Sequence, residues 1–328
     1  MAVVASAAVV LLSTLAYSLL VWWADRHEKE PKRLLLAALL WGAVPAAIIS
    51  VLLELGVDQR IHLQSALSQE VFSAGIAGPF IEEMAKGLML VALYKWWRLE
   101  FDGLVDGLVY GALVGFGFAM MENFLYFINA AQQGVLAWTA LVILRQFVFG
   151  LNHAFFTSFT GMGLGLARWS KHPLRWLYPL VGFGMAVFVH ALHNITLTLT
   201  SVSALSFLLT LFFDLSGILL VLVIWVLAVQ RESRLIREEL ADEVGHALSA
   251  EEYAALSDGR GRLGRLLRGQ LGSRKDAVRA ERLLAELAIK KHQLKQCGDD
   301  KAIRLRIAQL YAELVHLRER TREPGSTS

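Results

Sequence analysis

Cysteine is almost absent. The single Cys297 lies in the polar C-terminal region, so no intramolecular disulfide forms and a zinc-thiolate cluster is excluded. Charge is also scarce, at 19% of the 328 residues against 55% hydrophobic. It is unevenly spread: residues up to about Gln230 are nearly all apolar runs, while Arg231 to Ser328 is rich in Arg, Lys and Glu. The formal net charge of +3 therefore averages two unlike parts. Several signatures are missing as well. There is no His-Glu-x-x-His, no Gly-x-Ser-x-Gly elbow and no Gly-x-Gly-Asp in an apolar run, so the plainest metallo-, serine and aspartyl hydrolase motifs are excluded. No phosphate loop and no nucleic-acid module is present, and no nucleic acid is expected as a partner.

What is there belongs to a polytopic membrane protein. At roughly 20 residues per crossing, runs long enough to span a bilayer fall near 3–23, 34–55, 68–97, 104–129, 135–168, 174–200 and 204–229. The first begins Met-Ala-Val-Val without a basic n-region and ends in the interfacial pair Trp22-Trp23, so it reads as a retained helix and not a signal peptide. Lys and Arg cluster after the first run (Arg26, Lys29, Lys32, Arg33), the third (Lys95, Arg98), the fifth (Arg168, Lys171, Arg175) and the seventh (Arg231, Arg234, Arg237). By the positive-inside rule this predicts seven helices, the N-terminus outside and the C-terminal region in the cytoplasm. The expected fold is all-α, with a transmembrane domain over 1–230 and a helical tail over 231–328.

Polar groups inside these runs need an explanation, because an ionisable group near the bilayer centre costs several kcal/mol unless it is paired or neutral. Glu82 and Glu83 fall near the middle of the third run, His153 near the middle of the fifth, and Glu122 and His190/Asn194 past the midpoints of the fourth and sixth. At about 1.5 Å per residue, all of them reach a zone between the midplane and the outer leaflet. Glu82 and Lys86 share a helix face and form a natural ion pair, while Glu83 points about 100 degrees away. A purely structural pair would account for one carboxylate and leave the other without a local partner. Gly103, Gly107, Gly111 and Gly115 recur every fourth residue and predict close helix packing, as do Gly161 and Gly165. His190 and Asn194 share a face, with His193 beside it, and at that spacing can donate two hydrogen bonds to one oxygen. They equally suit a ligand or packing role.

The segments Glu82-Glu-Met-Ala-Lys86, Gly115-Phe-Gly-Phe-Ala-Met-Met-Glu-Asn123, Phe149-x-x-x-His153 and His190-x-x-x-Asn194, in that order on successive helices, resemble the PrsW family of intramembrane proteases. This family lies in the superfamily of type II CAAX prenyl endopeptidases. The resemblance covers roughly residues 30–230 and not the tail. The superfamily's first motif usually ends in Arg one position later; here Lys86 closes it, the form expected of the PrsW branch and one that argues against a prenyl-peptide substrate. The resemblance implies hydrolysis of a peptide bond in a membrane-anchored protein, with PrsW proteins making the first cut in an anti-sigma factor on its extracytoplasmic side.

Amide hydrolysis needs an activated water and help for the oxyanion and leaving amine. One mechanism has Glu82, assisted by His153, deprotonate the water, with His190 and Asn194 holding the oxyanion and Glu83 and Lys86 orienting the base and balancing its charge. The other is metal-assisted: Glu122, His153 and His190 supply three ligands for zinc and a glutamate serves as base. The rival class is not enzymatic. Buried carboxylates, histidines and a lysine also suit an ion or proton transporter or a membrane scaffold, though the paired halves common in transporters are not evident.

In the tail, residues 231–257 carry an amphipathic helical pattern. The segment 259–275 holds Arg260, Arg262, Arg265, Arg268, Arg274 and Lys275 with no acid, which suits anionic lipid headgroups or a solvated linker alike. Segments near 276–297 and 300–322, separated by Gly298-Asp-Asp, carry Leu283, Leu287, Leu294, Leu305, Leu310 and Leu317, a spacing that predicts a helical hairpin within 276–322 and a surface for homo-oligomers or another partner.

Overall fold

The computed structural model describes residues 1–25, 29–257 and 262–322. Arg26 of the first basic cluster, and Gly259 and Arg260 of the basic segment, lie outside these. Among the described residues the regular structure is helical, with one isolated β-bridge between Val244 and Leu248. The chain divides into two compact units, the first built from 1–25 and 30–225, the second holding 226–328.

Seven long helices begin in the first unit: α1 (Ala2–Ala24), α2 (Lys32–Asp58), α3 (66–96), α4 (Leu104–Gln132), α5 (Val135–Arg168), α6 (Leu177–Ser201) and α7 (Ala204–Ala241). Six of them, all but α3, are long and apolar enough to cross a membrane. The chain is an all-α polytopic membrane protein. Helix α3 fills the third expected run; Glu70, Glu82, Glu83, Lys86 and Lys95 make it less apolar than the rest. Outward-facing Leu11, Leu15, Leu52, Leu208 and Leu219 are more than half exposed, as suits lipid contact.

Helix α4 is the central element, with most of its first 16 residues buried. Its glycine stripe lets α5 approach backbone to backbone: a Cβ on Gly107 would stand 2.1 Å from the Gly161 carbonyl oxygen, and one on Gly115 only 2.3 Å from that of His153. The second contact presses the backbone of His153 against α4.

Three helices widen into π turns. In α2 the turn Gly42–Ala46 contains Pro45, which lacks an N–H and cannot sit in a regular α-ladder. In α3 the turn Ser73–Ala77 ends two residues before Pro79, whose missing N–H leaves the carbonyl one turn earlier unpaired. In α5 the turn Leu144–Val148 is followed by a break at 149–151, and the helix restarts at Asn152. The sequence reads 135–168 as one uninterrupted run; the structure instead sets His153 in the first turn of a new helix segment. Irregular backbone at such depth is tolerated where protein covers it, and here Tyr17 of α1 donates to the Gln146 carbonyl at 2.5 Å.

The second unit contains the end of α7, α8 (Ala250–Ser257), α9 (Arg262–Leu271), α10 (Arg274–Cys297) and α11 (Lys301–Arg322). The amphipathic pattern over 231–257 is not one helix. It breaks at 242–249, where Gly245 takes φ +90°, and restarts with a capping box in which Ser249 Oγ accepts from the Glu252 amide and Glu252 accepts from the Ser249 amide. Leu263, Leu267 and Leu271 of α9 are buried while Arg265 and Arg268 stay exposed. Helices α10 and α11 pack through Leu283, Leu284, Leu287, Leu310, Leu314 and Leu317. Leu305 points outward, 60% exposed, and Ile303 is buried in its vicinity along α11. Arg306 clamps Glu286 across the pair at 2.5 and 2.7 Å; the two carboxylates Glu286 and Glu313 hold its guanidinium above its ordinary pKa.

Candidate active site

Little more than one turn of α3 supplies the charged centre. Glu82, Glu83 and Lys86 are all buried, the last two fully. Lys86 Nζ lies 2.6 Å from Glu83 Oε1 and 3.3 Å from Glu82 Oε2, so one ammonium serves both carboxylates. It also lies 3.2 Å from His153 Nδ1 and 4.1 Å from the centre of the Phe118 ring.

The two histidines enter from α5 and α6 and meet edge to face, with ring centres 5.1 Å apart. Each has one ring nitrogen fixed by a carboxylate. His190 Nδ1 is 3.0 Å from Glu83 Oε1, and His153 Nε2 is 2.7 Å from Glu122 Oε2. An ionised carboxylate only accepts, so these nitrogens carry the protons and the opposite ones present lone pairs. Those opposite nitrogens both face Glu82: His153 Nδ1 at 3.9 Å and His190 Nε2 at 3.8 Å from Oε2. Thr157 donates to Glu83 at 3.0 Å, and Phe156 stacks on His190 at 4.6 Å. Glu122 is further held by Arg145 at 2.8 Å, whose Nε bonds Asn123 Oδ1 at 2.5 Å.

A cavity of about 320 Å³ opens beside this centre. Its walls include Glu82, Glu122 and Asn194 from the expected set, together with Ser50, Glu54 and Asp58 of α2. Asn194 donates one hydrogen bond to the Ala74 carbonyl at 2.7 Å, which anchors α6 on the π turn of α3 and leaves its second N–H uncommitted to that bond.

Five of the expected residues, Glu82, Glu83, Lys86, His153 and His190, thus form one connected cluster, Glu122 joins it through His153, and Asn194 lines the same cavity. The ligand atoms of Glu82, His153 and His190 all lie within 4.8 Å of one another. This set shares both histidines with the one expected from the sequence but has Glu82 where Glu122 was expected, because Glu122 sits on the far nitrogen of His153 in the grip of Arg145. Two imidazoles and a carboxylate are a donor set used by catalytic zinc sites, and each histidine carries the outer carboxylate partner that such ligands usually have. The residues fit a metal.

Sequence reasoning missed Thr157, Arg145 and a second polar knot in which His193 Nδ1 lies 2.8 Å from Asp214 Oδ2 of α7, with Asn152 donating to the same oxygen at 3.0 Å. Asp214 was detectable as the only acid in the seventh apolar run. Glu54 was likewise the only acid in the run 34–55.

A sequence profile described as the PrsW family of intramembrane metalloproteases matches residues 30–229. The chain belongs to the PrsW family. Among individual relatives, Protease PrsW of Geobacillus kaustophilus is 27% identical over 170 residues, covering 52% of this chain and 69% of that protein. Protease PrsW of Bacillus subtilis is 25% identical over 181 residues, 54% of this chain and 75% of the relative. That of Halalkalibacterium halodurans is 31% identical over 123 residues, 37% and 53% of the two chains. No solved structure matches the chain. The PrsW match ends at residue 229, within α7.

Proposed function

We propose that this PrsW family member is an intramembrane endopeptidase that hydrolyses a peptide bond of a membrane-anchored protein, with an anti-sigma factor as the candidate substrate. The observation that carries this reading is the convergence of Glu82, His153 and His190 beside a cavity large enough for a short stretch of peptide. In this reading the cavity lies between the midplane and the extracytoplasmic side and the tail in the cytoplasm as a surface for self-association, which the alternation of basic loops in the sequence supports.

Glu82 is the base. It takes a proton from water in the cavity, and the resulting hydroxide adds to the scissile carbonyl carbon. Lys86 stays bound to Glu83 at 2.6 Å and balances the negative charge of the pair. Glu83 holds His190 through Nδ1, which keeps Nε2 directed at the reacting side; Glu122 does the same for His153. The second N–H of Asn194 steadies the oxyanion, and His190 joins it in the imidazolium form, with a proton on Nε2 as well as on Nδ1. A metal, if bound, would be held by Glu82, His153 and His190 and would supply Lewis-acid polarisation of the carbonyl and a more acidic water. In that case the base would be another carboxylate lining the cavity.

The test is mass spectrometry of a co-expressed candidate anti-sigma factor with wild type, Glu82→Gln and His153→Ala at matched membrane levels. A defined fragment with wild type alone is the expected result. Identical patterns in all three contradict the reading and turn attention to a proton relay.

A further inference from the structure

We propose that Glu54 is a second acid–base group of this site and delivers the proton to the amine leaving group as the peptide bond breaks. The inference rests on the hydrolytic reading above and extends it to a step that Glu82 and the histidines leave open.

Glu54 lies on α2, outside every segment that carries the family resemblance to a motif. It lines the same cavity as Glu82. Both carboxylates reach the same glycine of α3: a Cβ on Gly78 would stand 3.1 Å from the Ser73 carbonyl oxygen, 3.9 Å from Glu82 Oε1 and 4.0 Å from Glu54 Oε1. Gly78 itself lines the cavity, so no side chain of α3 stands between the two carboxylates there.

Its bonding sets Glu54 apart. Glu82 and Glu83 share Lys86, and Glu122 has Arg145 and His153. Glu54 forms no ion pair among the described residues, and its Oε1 is buried without a hydrogen-bond partner. Ser50 Oγ, one turn earlier on the same helix and the same cavity wall, is also buried and unpartnered. Buried polar atoms are nearly always satisfied, and two orphans on one cavity wall mark where polar atoms of a bound molecule belong. A carboxyl that no cation binds and that faces the cavity is free to carry and hand on a proton, which is what a leaving amine needs.

Asp58 lies one turn beyond Glu54 at the end of α2, lines the cavity, and accepts from Ser73 Oγ at 2.5 Å. Glu54, Asp58 and Glu82 thus line one cavity. The step balances as follows. Water loses a proton to Glu82 and its oxygen forms a bond to the carbonyl carbon. The C–N bond then breaks with its electron pair passing to nitrogen, and nitrogen takes the proton of Glu54. The proton held by Glu82 returns through cavity water to Glu54, leaving a carboxylic acid and an amine as products and both glutamates in their starting states. The simpler alternative is that Glu82 performs both transfers.

The full-length protein in liposomes of phosphatidylethanolamine and phosphatidylglycerol separates these two schemes. The probes are apolar acyl-tripeptide p-nitroanilides and the matched p-nitrophenyl esters, since nitrophenolate departs without a proton and nitroaniline does not. We expect Glu54→Gln to lower the amide-to-ester ratio of kcat/KM by about 100-fold or more, Glu54→Asp to restore part of that ratio, and Glu82→Gln to slow both probes together. A Glu54→Gln protein with the wild-type ratio, or one that loses both probes in step while still eluting as folded protein, overturns the proposal. Wild type that cleaves neither probe, or Glu82→Gln that cleaves both normally, instead overturns the hydrolytic reading on which it rests.

Discussion

Replacing Lys86 by methionine is the most informative structural perturbation. It removes an ammonium that lies 2.6 Å from Glu83 and 3.3 Å from Glu82 while keeping an unbranched apolar stem of similar length. Lys86 and Glu83 are fully buried, so solvent does not screen the pair. Deleting one partner of a buried ion pair costs about 3–5 kcal/mol, since the remaining charge keeps its desolvation cost and loses its compensation. Two carboxylates lose their cation here, which puts the expected loss at the upper end, about 5 kcal/mol, or a fall in Tm on the order of 10 °C. Combining Lys86→Met with Glu83→Gln removes the charge that was left stranded. The double variant is therefore expected to be more stable than Lys86→Met alone, with a coupling energy of about 2–3 kcal/mol in a thermal or denaturant cycle in detergent. A Lys86→Met protein within about 1 kcal/mol of wild type, or additive effects in the cycle, would refute the claim that one ammonium neutralises this pair.

Gly115→Val places a methyl-bearing carbon against the His153 carbonyl, where even a Cβ would stand at 2.3 Å, so it is expected to lower the yield of folded protein in membranes and to abolish cleavage in what remains. Arg145→Ala frees Glu122, and with it the orientation of His153; we expect cleavage to fall about 10- to 100-fold with little change in membrane yield, as for loss of an outer-shell partner. Metal analysis of the purified protein gives a further check: if a divalent ion is held by Glu82, His153 and His190, His190→Ala loses it from elemental analysis while Asp214→Asn, which lies in the separate His193 knot, keeps it. In the tail, deletion of residues 274–328 is expected to leave peptide-bond cleavage in place and change the oligomeric state on gel filtration; a well-folded truncation without cleavage would contradict this.

Much of this arrangement is legible in the sequence because ionisable residues stand out against apolar runs. Glu82, Glu83 and Lys86 fall within five residues of one helix, and His153 and His190 are each visible by their setting. Four-residue spacing alone places the glycines of α4 on one face, and the structure shows why: Gly107 and Gly115 meet backbone carbonyls of α5. Other features depend on three-dimensional detail that spacing does not carry. The break before His153 has no proline to announce it; it follows from the wide turn at Leu144–Val148 and the packing of Tyr17 on Gln146. The exchange of Glu82 for Glu122 beside the histidines depends on which imidazole nitrogen faces which carboxylate, a matter of side-chain rotation. Glu54 and Asp214 were visible as lone acids, but their place beside the site arises from the packing of α2 and α7, which no local pattern specifies. In the tail, Gly245 and the Ser249 capping box break what reads as one amphipathic stretch.

The most direct test of the account is the rate of peptide-bond cleavage by purified protein in liposomes, measured for wild type, Glu82→Gln, His190→Ala and the double variant on one transmembrane substrate. The account predicts that each single change lowers kcat/KM by about 10²- to 10⁴-fold and that the double variant is hardly slower than the singles, since the two groups act as a unit. Cleavage that survives Glu82→Gln at the wild-type rate would contradict it.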